Sequence, residues 1–259
     1  MTPRGGGWRA DSHGGGLAST VRQLLICDLG VQPYGAALDL QRAVARARIS
    51  GAFDQDLLLL VEHPPVVTLG RSSKAQHVRA SPDTLASRGV EVHEVERGGD
   101  VTFHGPGQLV GYPIMDLKRH KQDLHWFLRQ VEEVLIRALA AFGVEGERSV
   151  GLTGVWTGGR KIASIGLHAR DWVTWHGFAL NVETDLSYFD LIVPCGIGEV
   201  EMTSLSAELT RRGGRDAAGP LSAGVRRAVV GAFADVFSLV PIDLDPVSLA
   251  RVAASTVRV

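Results

Sequence analysis

Two side chains, 34 positions apart (195 − 161), hold the most chemical promise in this chain. Cys195 stands in LIVPCGIGEV, where a short apolar run is broken by Pro194 and followed by Gly196 and Gly198. A thiol at a strand end, on a corner with so little bulk around it, is open to a substrate. An isolated cysteine is otherwise one more small core hydrophobe; the proline and glycines argue against a packed interior position. Lys161 closes the turn TGGR and opens an otherwise apolar strand, KIASIGLH. Its amine is either a solvated surface group or one drawn into a partly desolvated site. If the two residues meet, an ammonium beside sulfur favours the thiolate, and burial weakens the ammonium. Such a pair titrates as a unit and has the makings of an activated nucleophile.

The densest glycine cluster upstream is RGGDVTFHGPGQLVGYPIMDL, residues 97–117. Gly98 and Gly99 form one loop, and Gly105, Pro106 and Gly107 a second, with the strand Val101–Phe103 between them. Two such loops can wall a groove lined by backbone, which suits an acyl chain and offers N–H groups to its carbonyl oxygen. By spacing alone they are equally readable as two ordinary hairpin turns. A nucleotide fingerprint is absent: Val110 stands where G-x-G-x-x-G needs its last glycine, and Gly154–Gly159 runs on into Arg160 and Lys161 rather than Lys-Ser or Lys-Thr. His104, His168 and His176 are not spaced as a metal-ligand set.

These groups need a scaffold. The chain has 259 residues, 45% of them hydrophobic and 21% charged, with a net charge of −1. That balance gives no electrostatic reason to expect nucleic acid or an anionic membrane as partner, and no apolar run approaches a bilayer span. Two cysteines are too few for a disulfide framework, which fits a reducing, cytoplasmic setting. Cys27, in QLLICDLG, reads as a packing residue. Residues 1–20 read as a flexible Gly-rich tail and 21–259 as a single domain.

Strands are expected at 22–29, 57–62, 66–69 and 90–95, with a helix over 34–48 carrying Leu40, Val44 and Ala47 on one face. The strongest helix covers 123–142, with Leu124, Phe127, Leu128, Val131, Val134, Leu135, Ala138 and Phe142 in one stripe. Strands follow at 150–157, 161–168 and 177–182, a helix near Thr203, a loop at 211–220 and an amphipathic helix at 222–238 built on Val225, Val229, Phe233 and Val236. Along 161–168, Ile162, Ser164 and Gly166 should share one face, and Lys161, Ala163, Ile165 and Leu167 the other. Without regular βαβ alternation, the class is α+β, a mixed or antiparallel sheet flanked by helices.

Three segments in this order, RGGDVTFHGPGQLVGYPIMDL, GRKIASIGLHARDWVTWHGFALNV and LIVPCGI, resemble the signatures of the lipoyl(octanoyl) transferases, over roughly residues 24–210. The resemblance implies the fold of the biotin and lipoate protein ligase catalytic domain, and an acyltransferase that works without ATP or any other cofactor. It implies Cys195 as the nucleophile that carries the acyl thioester, and Lys161 as the group that activates it and then moves protons. Arg97, Gly98, Gly99, Asp100, Val101, Thr102, Phe103 and His104 would line the substrate pocket with Ser164, Ile165, Gly166, Gly177, Phe178 and Ala179. His63, in EHPPVVTLG, matches a motif bordering the same pocket. The implied donor is octanoyl-acyl carrier protein. The implied acceptors are the lipoyl domains of 2-oxoacid dehydrogenases and the H protein of glycine cleavage. No nucleic acid or membrane partner is expected, and a monomer is the default. The rival readings are an ATP-dependent lipoate or biotin ligase, a thioesterase, and a carrier-binding module with a dead site.

Overall fold

One strand sets the layering. Residues 56–62, DLLLLVE, are buried at every position but the last, so both faces of that strand must be covered. The computed structural model describes residues 22–196, 200–213 and 221–255. The tail expected at 1–20 and most of the loop expected at 211–220 lie outside them.

The first half of the chain forms β1 (Gln23–Val31), α1 (Tyr34–Ser50), β2 (Asp56–Glu62), β3 (Val66–Leu69), α2 (Pro82–Ser87), β4 (Glu91–Glu94), β5 (Val101–His104) and β6 (Gln108–Ile114). The second half forms α3 (Leu124–Ala140), β7 (Val155–Thr157), β8 (Arg160–Arg170), β9 (Val173–Asn181), α4 (Leu205–Arg211), α5 (Leu221–Phe237), β10 (Val240–Asp243) and α6 (Pro246–Ser255). Seven strands make a mixed sheet in the order β10-β1-β2-β6-β9-β8-β7, parallel from β10 to β2 and antiparallel beyond. A smaller sheet, β4-β3-β5, stands beside it.

The alternation of β2 divides the core. Leu58 and Leu60 face α3 and α5, packing with Phe127, Val131, Leu135, Val225, Val229 and Phe233. Leu57, Leu59 and Val61 face α1, packing with Ala37, Val44 and Ala47. This is the expected α+β class with helices on both faces of a mixed sheet. Cys27 is wholly buried in the second layer, and burial pushes its thiol up to about 11, so it is a packing residue. Asp123 caps α3 by accepting the Trp126 amide.

Several expectations need correction. Leu124, in the first turn of α3, is exposed rather than part of the core stripe. Residues 150–154 are not strand; only Val155–Thr157 pairs with β8. The segment before Cys195 is not a strand either: Leu186–Leu191 is a 3-10 helix, and Ile192 makes only an isolated bridge to Val78. The strand expected at 90–95 is the shorter edge strand β4, Glu91–Glu94, which leaves Val92 exposed. β10 and α6 carried no signal that the sequence pattern distinguished; β10 is a four-residue edge strand, exposed throughout, and holds Pro241 where no ladder partner is missed.

The expected faces of β8 are also redistributed. Val155 pairs with Ala163 but Trp156 pairs with Lys161, so β8 carries one extra residue against β7. Past this bulge, Ile162 and Ala163 both enter the core with α3 and α5, where Ile165 and Leu167 also pack. Lys161 is thereby moved to the opposite face, with Ser164 and Gly166. Lys161 sits where β8 leaves β9: its amide donates to Glu201 O and its carbonyl accepts from Thr203 N.

Candidate active site

Cys195 occupies a 3-10 turn, Pro194–Gly196, and takes a left-handed conformation with φ 57° and ψ 17°. A non-glycine residue there is strained by about 1–3 kcal/mol, and such strain gathers at active sites. The turn is held from below. Val193 N–H donates to His77 O at 2.7 Å, and Arg79 and Ala80 N–H both donate to Leu191 O. The Asp100 carboxylate, hydrogen-bonded to His77 Nδ1 at 2.7 Å, lies against Gly196. These contacts leave the Cys195 side chain half-buried on the wall of a cavity.

Lys161 is 1% exposed, and its Nζ donates to Cys195 Sγ across 3.0 Å. The bulge in β8 makes this contact possible, because it aims the lysine at the cavity instead of at the helices. The indole ring of Trp156, the cross-strand neighbour of Lys161, lies 4.8 Å from Nζ on another side. Gly154 packs so close to the lysine stem that a Cβ there would stand 2.9 Å from Lys161 Cε and 2.5 Å from Ala163 O.

The cavity measures about 230 Å³. Arg97 forms part of its wall, buried, with Nη2 donating to Thr68 O at 2.7 Å and to Thr68 Oγ1 at 2.8 Å, and Nη1 to Gly98 O. Burial holds this guanidinium below the ordinary arginine range. Gly166 is required beside it: a Cβ would fall 2.8 Å from Gly98 O and 3.1 Å from Arg97 Cδ. Three further polar groups of the wall are uncharged near neutral pH. Burial pushes His104 down to about 3 and Tyr34 up to about 12, and raises Tyr112 well above the ordinary phenol value. The Tyr34 and His104 rings stack at 5.9 Å. A chamber of aromatic rings, neutral imidazole and small residues such as Ala179 and Gly177 accepts an apolar chain.

The structure brings most of the expected site residues to this cavity. Arg97, Gly99, Asp100, Val101, Thr102, His104, Ser164, Ile165, Gly166, Gly177, Phe178 and Ala179 line it with Cys195 and Lys161. Gly98 and Phe103 do not. The Gly98 amide is spent on Leu167 O, tying the 97–99 loop to β8. Phe103 points from β5 into the core of the small sheet, stacked on Tyr188 at 4.7 Å. His63 stands one layer behind, its Nε2 2.7 Å from the Tyr112 hydroxyl; burial lowers it to about 4. Tyr34, Val110, Tyr112, His176 and Gly151–Thr153 line the cavity without having been singled out as pocket residues. Tyr112 could have been found, since it lies within the glycine-rich stretch 97–117; Tyr34 opens α1 and arrives only by packing.

The model of the lipoyl protein ligase A/B catalytic domain matches residues 33–218. The chain belongs to this family. Among curated relatives, the octanoyltransferase of Nostoc sp. is 48% identical over 219 residues, covering 85% of this chain and 94% of its own. That of Rubrobacter xylanophilus is 53% identical over 209 residues, covering 80% and 90%. Among solved structures, lipoate-protein ligase A bound with ATP superposes with a TM-score of 0.68 at 15% identity, covering 91% of this chain and 93% of the other. LipL1 of P. falciparum in complex with lipoate gives 0.65 at 11% identity, covering 89% and 70%. At these identities the structural likeness speaks for the ligase fold, the one expected from the sequence. Among the described residues, no helix is long and apolar enough to cross a membrane.

Proposed function

We propose that this enzyme transfers an octanoyl group from the thioester of an acyl carrier protein to the lysine ε-amine of a lipoyl carrier domain, through a thioester on Cys195. The observation that carries this reading is the contact of a buried amine with a half-buried, strained thiol on the wall of an apolar cavity, 3.0 Å apart. The octanoyltransferase relatives supply the acyl group, and the acyl carrier protein donor and lipoyl domain acceptor come from the sequence resemblance.

In the first half-reaction the Cys195 thiolate attacks the donor carbonyl. The tetrahedral intermediate collapses, and the departing thiolate takes a proton from Lys161. One thioester replaces another, so no nucleotide is consumed. In the second, the neutral acceptor amine attacks the acyl-enzyme. The nitrogen passes a proton to Lys161, and sulfur leaves as thiolate. The amides of Gly98 and Gly196 cannot serve the oxyanion as they stand, because they already donate to Leu167 O and Val193 O. Arg97 is the buried positive charge at the cavity wall that opposes the developing negative charge. The largely apolar walls limit the access of water to the intermediate.

The test is intact-mass measurement after mixing with octanoyl-acyl carrier protein in the absence of ATP. The wild-type chain gains one octanoyl group on Cys195 and gives it up to added lipoyl domain. Absence of the adduct, release of free octanoate in place of the modified domain, dependence on ATP, or full transfer by Cys195→Ala each overturns the reading.

A further inference from the structure

The Lys161 amine is buried with no carboxylate beside it: among the described residues none lies within ion-pair distance of Nζ. The nearby acidic groups are engaged elsewhere. Glu208 is held by Arg160 and Thr203, Glu132 by Arg129, Arg148 and the Gly154 amide, and Asp100 by His77. Arg97, the other buried cation of the cavity, is turned to Thr68 and Gly98. Among the described residues two contacts of Nζ stand out, the Cys195 sulfur at 3.0 Å and the Trp156 ring at 4.8 Å. The ring is 5% exposed, so its quadrupole acts on the cation with little screening by water.

We propose that Trp156 is a positioning residue for the nucleophile: its ring face holds the Lys161 ammonium against the Cys195 sulfur. The inference rests on the acyl-transfer reading and deepens it. In the free enzyme, ring and thiolate together compensate the buried cation. Acylation turns the sulfur into a neutral thioester and leaves the ring as the one remaining companion of the amine among the described residues. As the donor's thiolate departs, the ammonium gives it a proton, and the neutral amine stays in place to receive one from the attacking nitrogen. When the sulfur is released as thiolate, the ion pair over the indole reforms. The backbone of Trp156 is fixed for this task by Glu147, whose N–H and C=O both pair with it, at 2.8 and 2.9 Å.

The experiment compares wild type with Trp156→Phe and Trp156→Leu, two replacements of similar bulk of which only one keeps a π face. Two readouts are taken: the pH midpoint of Cys195 alkylation by iodoacetamide, and the single-turnover rate of Cys195 acylation by octanoyl-acyl carrier protein. Trp156→Leu is expected to raise the alkylation midpoint by about one pH unit and to slow acylation at least tenfold, with the donor KM unchanged. Trp156→Phe should fall between it and wild type. Equal midpoints in the Phe and Leu variants, or a Leu variant with the wild-type midpoint, overturn the proposal. Should the Leu variant fail to fold, Trp156→Met takes its place under the same criteria. Alkylation needs no octanoyl substrate, so the proposal can fail while wild-type acylation upholds the transfer reading, and the reverse.

Discussion

Glu132, wholly buried on α3, accepts the Gly154 amide at 3.1 Å. Its second oxygen accepts from Arg129 at 2.7 Å and Arg148 at 3.2 Å. One carboxylate thus ties down both ends of the segment whose residues Gly151, Leu152 and Thr153 line the cavity, and presses Gly154 onto the stem of Lys161. Removing it leaves a buried N–H unpaired and frees the cavity wall. Glu132→Ala is expected to cost about 3 kcal/mol of stability, measurable by urea unfolding. An unchanged unfolding midpoint would show that the anchor is dispensable.

The left-handed Cys195 invites a backbone test that is separate from chemistry. Both Cys195→Ala and Cys195→Gly should lose transfer. Glycine, however, adopts φ 57° without steric cost, so Cys195→Gly should be the more stable of the two, by about 1 kcal/mol. Equal stabilities would mean that the turn relaxes once the thiol is gone.

Two of the buried imidazoles, His63 and His104, make stability depend on acidity in a definite direction. His63 and His104 titrate at about 4 and about 3 in the fold, both lowered by burial, against 6.5 for a free imidazole. Between those values the unfolded chain binds more protons than the folded one, so stability rises with pH. Above 6.5 neither residue contributes a slope. Below it each costs roughly 1.4 kcal/mol per pH unit, until about pH 4 for His63 and about pH 3 for His104. Thermal melts at pH 7 and 5 should show the loss, and Tyr or Gln at position 63 should remove part of the slope. A Tm independent of pH over this range would contradict neutral burial.

Chain length should respond to Ala179, a small residue on the cavity wall in β9. Ala179→Val narrows the chamber. Each methylene it excludes forfeits about 0.8 kcal/mol, or about fourfold in kcat/KM. Competition between hexanoyl and octanoyl donors should therefore tilt toward hexanoyl by at least that factor. An unchanged ratio would place the acyl chain elsewhere.

Much of this protein is written locally along the chain. Apolar spacing near 3.6 residues located α1, α3 and α5, and alternating or continuous apolar runs located β1, β2 and β9, because each element must bury one stripe or face. The sequence signatures, read with the family resemblance, named Cys195, Lys161 and most of the cavity wall. Three-dimensional packing decided the rest. A single extra residue in β8 turned Lys161 to the cavity and sent Ile162 to the core, against the simple alternation. Phe103 and Gly98, neighbours in sequence of true lining residues, face away because their own contacts are with Tyr188 and Leu167. Tyr34, Trp156 and Glu132 act on the site from three different elements. Periodicity reports which way a residue faces relative to its neighbours in sequence, whereas a bulge, a buried ion contact or a ring over an amine depends on which distant strand or helix lies across from it.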